Sequence, residues 1–274
     1  MARWAASAAV VLAGCVAPSP APVAHPALAY SRLPEIPGDI PQAIHVIEID
    51  LTQPGVALEV SPKEPAGGRQ YRAQTTSEFA ARHKLQAAVN GAFFEPFRGG
   101  TPFGDDFYPR SGDPVDATPG PKPNGTVCIV APARVTVEKG DRCAGAVDHA
   151  LTAGPMLLAD GERQSWTLKP AHHPRTAFGV SADGRRAWMV VVDGRQQSSG
   201  GATLDEMAAI LRRLGASDAV NFDGGGSTTM VFDDGAGPRV VNSPIHTGIP
   251  GRERPSATHL GVRAPILPRK GGER

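Results

Sequence analysis

The run Asn221-Phe222-Asp223-Gly224-Gly225-Gly226-Ser227-Thr228-Thr229-Met230 sets a carboxylate at the end of an apolar stretch, then three glycines, then three hydroxyls. Three consecutive glycines pack no side chain, and each costs backbone entropy on folding. They suit a place where the backbone bends sharply, or where another group must come close to its N–H groups. A row of amides beside an acid and hydroxyls can hold a sugar or a phosphate. A tight strand-to-helix turn would use the same residue types.

Two more polar residues end apolar runs. Asn90 follows Ala87-Ala88-Val89, and Asp193 follows Met189-Val190-Val191-Val192. A rigid strand holds such a group while the following loop gives access to it. Asn-Gly and Asp-Gly are also turn dipeptides, so each alone reads as a turn. Three together, beside the triple glycine, read as a site. Arg175 leads into the apolar run 176–180 and offers a planar fork to a phosphate or carboxylate. His172 and His173 are adjacent, so in an extended chain they point apart and make a weak metal signal. His259 lies inside an apolar run and reads as a packed histidine.

Several chemistries find no support. There is no Gly-x-Ser-x-Gly elbow, no Gly-Lys-Ser/Thr ending of a phosphate loop, and no zinc-spaced Cys/His set. The 28 basic and 27 acidic residues show no basic cluster, which argues against a nucleic-acid partner.

The elements that must position these groups follow from apolar runs and breakers. Residues 43–51 and 56–60 read as paired strands around a Gln53-Pro54-Gly55 turn. A helix over 76–84 leads to a strand over 86–90. From Gly91 to Gly125 the chain is dense in Gly, Pro and Asp; so long a loop marks a binding surface or a lid. Residues 128–130 and 134–137 read as neighbouring strands. Across them Cys128 and Cys143 can form a disulfide, contributing about 3 kcal/mol by loop closure. Residues 177–181 and 187–192 form a hairpin turned at Asp183-Gly184. The helix over 203–214 has a capping-box spacing at Thr203 and Glu206, an apolar face from Leu204 to Leu214, and Gly215 at its end. The run 219–222 delivers Asp223, and 258–263 is a closing strand.

The N-terminus reads as a processing segment. Arg3 precedes a short apolar stretch ending in Leu12-Ala13-Gly14-Cys15, which looks like a bacterial lipobox. Residues 1–14 are then a lipoprotein signal peptide, Cys15 carries the lipid that contacts the membrane, and 15–40 is a Pro/Ala-rich tether. The domain runs over 41–265, with a disordered tail at 266–274. The expected place is the bacterial cell envelope, lipid-anchored and facing the periplasm. Val16 lacks the acidic character linked to inner-membrane retention, which favours the outer membrane.

Five segments resemble, in order, the phosphodiester glycosidase family. They are Asn90-Gly91-Ala92-Phe93-Phe94, Gly154-Pro155-Met156-Leu157-Leu158, Pro174-Arg175-Thr176-Ala177-Phe178-Gly179, Val192-Asp193-Gly194-Arg195 and the run 221–230. The resemblance covers about residues 41–264. It implies an α+β fold, with a mixed, largely antiparallel β-sheet core flanked by helices, in a single catalytic domain. It also implies cleavage of the anomeric C–O bond of a sugar-1-phosphodiester, releasing sugar and a phosphomonoester. A phosphomonoester is a good leaving group, with a second pKa of about 6. It needs charge stabilisation more than a proton. Arg175 and the amides of Gly224, Gly225 and Gly226 are therefore assigned to the phosphate, helped by Ser227 and Thr228. Asp223 and Asp193 are candidates for nucleophile or base, in either order, and Asn90 for orienting the sugar or a carboxylate. No cofactor is expected, a structural or catalytic divalent cation being left open. The Arg254-Pro255-Ser256-Ala257-Thr258-His259-Leu260 segment departs from the more apolar run of many relatives, and the Glu95–Pro123 loop is particular to this chain and would shape substrate choice. Two other readings are a non-catalytic glycan-binding lipoprotein, and a metal-dependent phosphodiesterase using Asp193, Asp223 and the histidine pair.

Overall fold

The computed structural model describes residues 26–34, 40–95, 109–120 and 124–265. The signal peptide, Cys15, the tail 266–274 and residues 96–108 and 121–123 of the long loop lie outside them.

Two large antiparallel sheets carry the fold. The first has seven strands in the order β1 (Leu28–Leu33), β2 (Ile44–Asp50), β14 (Arg186–Val192), β13 (Arg175–Val180), β15 (Asp218–Asn221), β11 (Met156–Ala159) and β12 (Glu162–Arg163). The second has five: β17 (Pro238–Val240), β16 (Met230–Asp233), β5 (Ala87–Asn90), β18 (His259–Arg263) and β3 (Ala57–Val60). Two three-stranded sheets complete it. One is β10 (His149–Ala153), β8 (Gly125–Val130) and β9 (Arg134–Lys139); the other is β4 (Tyr71–Arg72), β7 (Pro114–Thr118) and β6 (Phe93–Glu95).

Period-2 alternation sends every second side chain of a strand to the same face. Ile47, Phe178, Met189, Val191 and Val220 of the first sheet meet Val89, Met230 and Leu260 of the second, joined by Val127, Ile129 and Val135 of the β8–β10 sheet. The opposite face of the first sheet, with Val46, Ala177, Trp188 and Val190, is covered by Leu204, Met207 and Leu211 of helix α2 (Leu204–Leu214). Helix α1 (Thr76–His83) covers the outer face of the second through Phe79 and Ala80. Central strands buried on both faces hold their ends rigidly, which is what a site at the sheet end needs. Both helices begin with a complete capping box, Thr75 with Glu78 and Thr203 with Glu206. The Cys128–Cys143 disulfide is present. The antiparallel core and its flanking helices agree with the expected arrangement, but among the described residues only two α-helices accompany eighteen strands, so the fold is mainly β.

Two expectations need correction. The strands over 43–51 and 56–60 do not pair with each other: β2 pairs β1 and β14, while β3 pairs β18 in the other sheet. The turn between them is real, but each strand finds its partner far along the chain. Residues 28–33, expected as tether, form the edge strand β1, fully paired with β2 from Leu28 opposite Ile49 to Leu33 opposite Ile44. Within the long loop, β6 and β7 pair with each other.

Candidate active site

Strand β13 is the middle of the arrangement. Its first residue, Arg175, is opposite Val192 of β14, so Asp193 lies one step beyond the sheet. On the other side Ala177 is opposite Asn221 of β15, and two antiparallel steps bring Asp223 level with Arg175. Asp193, Arg175 and Asp223 thus share one sheet end, the two acids about 10 Å apart across two strand spacings.

Asp223 is 6% exposed. Its Oδ1 accepts the Gly224 N–H at 2.8 Å and its Oδ2 accepts the Ser227 hydroxyl at 2.6 Å. Burial pushes its pKa up, against the pull of Ser227, Arg254, Gly224 and Arg195. Desolvation therefore holds this carboxyl above the ordinary carboxylate range while two guanidinium groups lie near it.

Part of the glycine loop's hydrogen-bonding capacity is turned inward. The Gly224 N–H serves Asp223, and the Gly225 N–H donates to the Pro174 carbonyl at 2.9 Å. Two of the three amides are thus committed inside the protein. What the glycines supply is room. A Cβ at Gly224 would lie 2.6 Å from the Pro174 oxygen. At Gly225, whose φ is +62°, it would lie 3.2 Å from both terminal nitrogens of Arg195. At Gly226 it would run into the Arg254 guanidinium, whose Cζ would be 2.7 Å away. The backbone is a floor on which two guanidinium groups rest. Arg195 reaches it from a left-handed backbone (φ 58°), a conformation that strains a non-glycine residue and is held by its surroundings. Arg254 is buried; its Nε donates to His246 Nδ1 at 3.3 Å and an Nη to Ser227 Oγ at 3.4 Å. His246 also lines a cavity of about 370 Å3 with Thr75, Ser111 and Arg252.

Asp193, 5% exposed, is enclosed differently. Oδ1 accepts Asn242 Nδ2 at 2.8 Å, the Ser243 N–H lies 3.0 Å from both oxygens, and Oδ2 is 3.2 Å from His45 Nε2. His45 Nδ1 in turn meets the Tyr30 hydroxyl of β1 at 2.9 Å. Asn242 also donates to the Thr228 carbonyl, which ties Asp193 to the glycine loop.

Asn90 is fully buried and faces no open space: it donates to the Asp223 carbonyl at 2.7 Å and accepts from the Thr176 hydroxyl and the Thr229 N–H. Its side chain ties the Asp223 backbone to β13 and to the Thr229 amide. Ser227 serves Asp223, and the Thr228 hydroxyl is buried. Arg175 donates to the Ala202 and Ala171 carbonyls, and burial, then Arg195, lowers its pKa to about 10, so it stays charged at neutral pH. His172 pairs with Glu206. His259 is packed, between Ser61 and Ser256 hydroxyls at 3.0 Å and stacked on Phe79; burial lowers its pKa to about 3. Among the described residues no cluster of three or more His, Cys, Asp or Glu could hold a metal ion.

Sequence reasoning passed over Arg195, Arg254, His45 and Asn242 as site residues. Arg195 carried a signal, its place in the Val192-Asp193-Gly194-Arg195 segment. Arg254 carried one too, at the head of the Arg254-Pro255 segment, while His45 and Asn242 are joined to the site only by long-range contacts.

A family model described as phosphodiester glycosidase matches residues 83–263. No curated protein matches the chain. Among solved structures, the catalytic domain of zebrafish N-acetylglucosamine-1-phosphodiester alpha-N-acetylglucosaminidase, auto-inhibited by its pro-peptide, is similar at 20% identity and a TM-score of 0.57, covering 87% of this chain and 82% of that one. A putative exported protein of Burkholderia pseudomallei is 19% identical (TM-score 0.55, 85% and 75% covered). A hypothetical protein of Synechocystis is 17% identical (TM-score 0.55), with 89% of this chain matched; the match spans 64% of that protein's length.

Proposed function

The chain belongs to the phosphodiester glycosidase family, and we propose that it hydrolyses the anomeric C–O bond of a sugar-1-phosphodiester, acting on glycans of the bacterial envelope or its surroundings. One observation carries the reading: a buried carboxylate, Asp223, beside two guanidinium groups laid on a glycine floor.

Asp223 acts as the base. Its carboxylate takes a proton from water, the water oxygen bonds to the anomeric carbon, and the C–O bond breaks with its electron pair on the phosphate oxygen. The exposed Arg195 and the buried Arg254 stabilise the departing phosphomonoester, the fixed charge of Arg254 being worth more for its removal from water. Arg175 adds positive field from β13. Asp193, already accepting from three groups, holds the surrounding loops. Direct attack of water at the anomeric carbon is a single displacement, so the product is the inverted anomer.

Turnover in isotopically labelled water, with and without chelator, tests this. The reading expects label at C1 of the sugar, inversion of the first-formed anomer and no effect of chelator. Label in the phosphate, abolished by chelator, would instead mean P–O cleavage by a metal. No turnover over a broad panel of phosphodiesters would leave a glycan-binding protein.

The location is part of the same proposal: Cys15 carries lipid and holds the protein at the periplasmic face of the envelope, on the outer membrane. The Leu12-Ala13-Gly14-Cys15 motif supports it. Cys15→Ser is expected to move the protein from the membrane to the soluble fraction; unchanged fractionation would reject the anchor.

A further inference from the structure

A second polar hollow, of about 350 Å3, takes its walls from both three-stranded sheets. Half-buried Tyr71 and Thr118 face it from one, and Thr152 from the other. The exposed Lys63, Gln70 and Asp141 complete its edge. Asp141 also accepts from Asn124. Lys63 and Asp141 carry opposite charges, so neither an anion nor a cation is favoured. What remains is an aromatic ring beside a mixed set of amide, hydroxyl, ammonium and carboxylate groups. That is the chemistry that takes a sugar: a ring for its C–H face, with donors and acceptors for its hydroxyls.

The hollow reaches the catalytic end of the sheets. Thr258 lines it. The Gly91 N–H donates to the Thr258 carbonyl at 2.7 Å, and the Asp223 N–H donates to the Gly91 carbonyl at 2.9 Å. Two backbone hydrogen bonds therefore link this wall to Asp223. None of the groups assigned to the anomeric carbon or the phosphate lines it.

We infer that this groove is a glycan subsite, separate from the reacting centre, that binds a neutral sugar unit of a larger substrate. The inference rests on the phosphodiester glycosidase reading only for what the sugar belongs to; binding needs no turnover.

The test is a titration followed by NMR, using three unphosphorylated tetrasaccharides, of β-linked N-acetylglucosamine, of mannose and of α-linked glucose. At least one is expected to shift resonances of Gln70, Tyr71 and Thr152. Tyr71→Ala and Gln70→Ala should each weaken that binding about tenfold, the effect of losing one or two contacts. Gln70 is exposed, so that variant does not depend on refolding of the site. Asp223→Asn should bind as the parent does. No shift with any of the three, undiminished binding in both groove variants, or binding lost in Asp223→Asn would each overturn the inference. Should the protein prove inactive on every phosphodiester yet bind through Tyr71 and Gln70, catalysis would fall and the groove would stand.

Discussion

Asp193 and Asp223 arise from nearly the same local sequence, an apolar strand ending in Asp-Gly, and sit on either side of the same strand, yet their surroundings differ. Around Asp193, His45, Asn242 and the Ser243 amide occupy both oxygens. Around Asp223, each oxygen has one partner within its own loop, and two guanidinium groups stand near. A carboxylate surrounded by donors is a structural knot. One raised in pKa and faced by cations suits the proposed base, with a place for the leaving anion. The difference comes from what the fold brings to each tip.

Four measurements would break or sharpen that contrast. Asp223→Asn should lower kcat by about 10^3-fold or more, within the range of losing a general base, with the melting temperature little changed. If its loss is no larger than that of Asp193→Asn, the assignment of roles is wrong. Gly226→Ala should lower kcat about 10^2-fold, because the added methyl displaces the Arg254 guanidinium from its floor. Full activity there would show that Arg254 does not need its present place. Below the raised pKa of Asp223, kcat/KM should fall about tenfold per pH unit, since the active form is deprotonated and protonation switches it off. The limb should begin above the ordinary carboxylate value of about 3.9. Asp193→Asn should leave this limb in place, and its movement in that variant would tie the titration to the wrong acid. The smallest effect on rate belongs to Asp193→Asn itself, about tenfold or less. Its signature is instead stability, a loss of about 2 kcal/mol in denaturant unfolding as charge-assisted hydrogen bonds go.

Much of this could be read in the chain because it is local. The Thr203/Glu206 box, the Asp183-Gly184 hairpin and the Cys128–Cys143 pairing each depend on neighbours within a few turns or one hairpin. The strands over 43–51 and 56–60 were also correctly placed as strands, but pairing is not local: His45 sits opposite Val191 and Leu58 opposite Val262. Strand β1 was hidden by its prolines on either side, which give the segment a tether's composition although its own six residues contain none. The site shows the same divide. Asp193, Asp223, Arg175 and the glycines were visible, since a polar residue after an apolar run is a one-dimensional signal. The glycines' purpose was not, because Arg254 and Arg195 reach them only through the tertiary fold.

The edge strand β1 has a consequence beyond the sheet it closes. An anchor at Cys15, as proposed, would be joined to folded structure at Leu28, 13 positions on, rather than at the 41st residue. Fully drawn out, that leash spans at most about 45 Å, roughly half the radius a 26-position one would sweep. On that proposal the domain would stay close to the bilayer that holds it, and a substrate farther out would have to come to it.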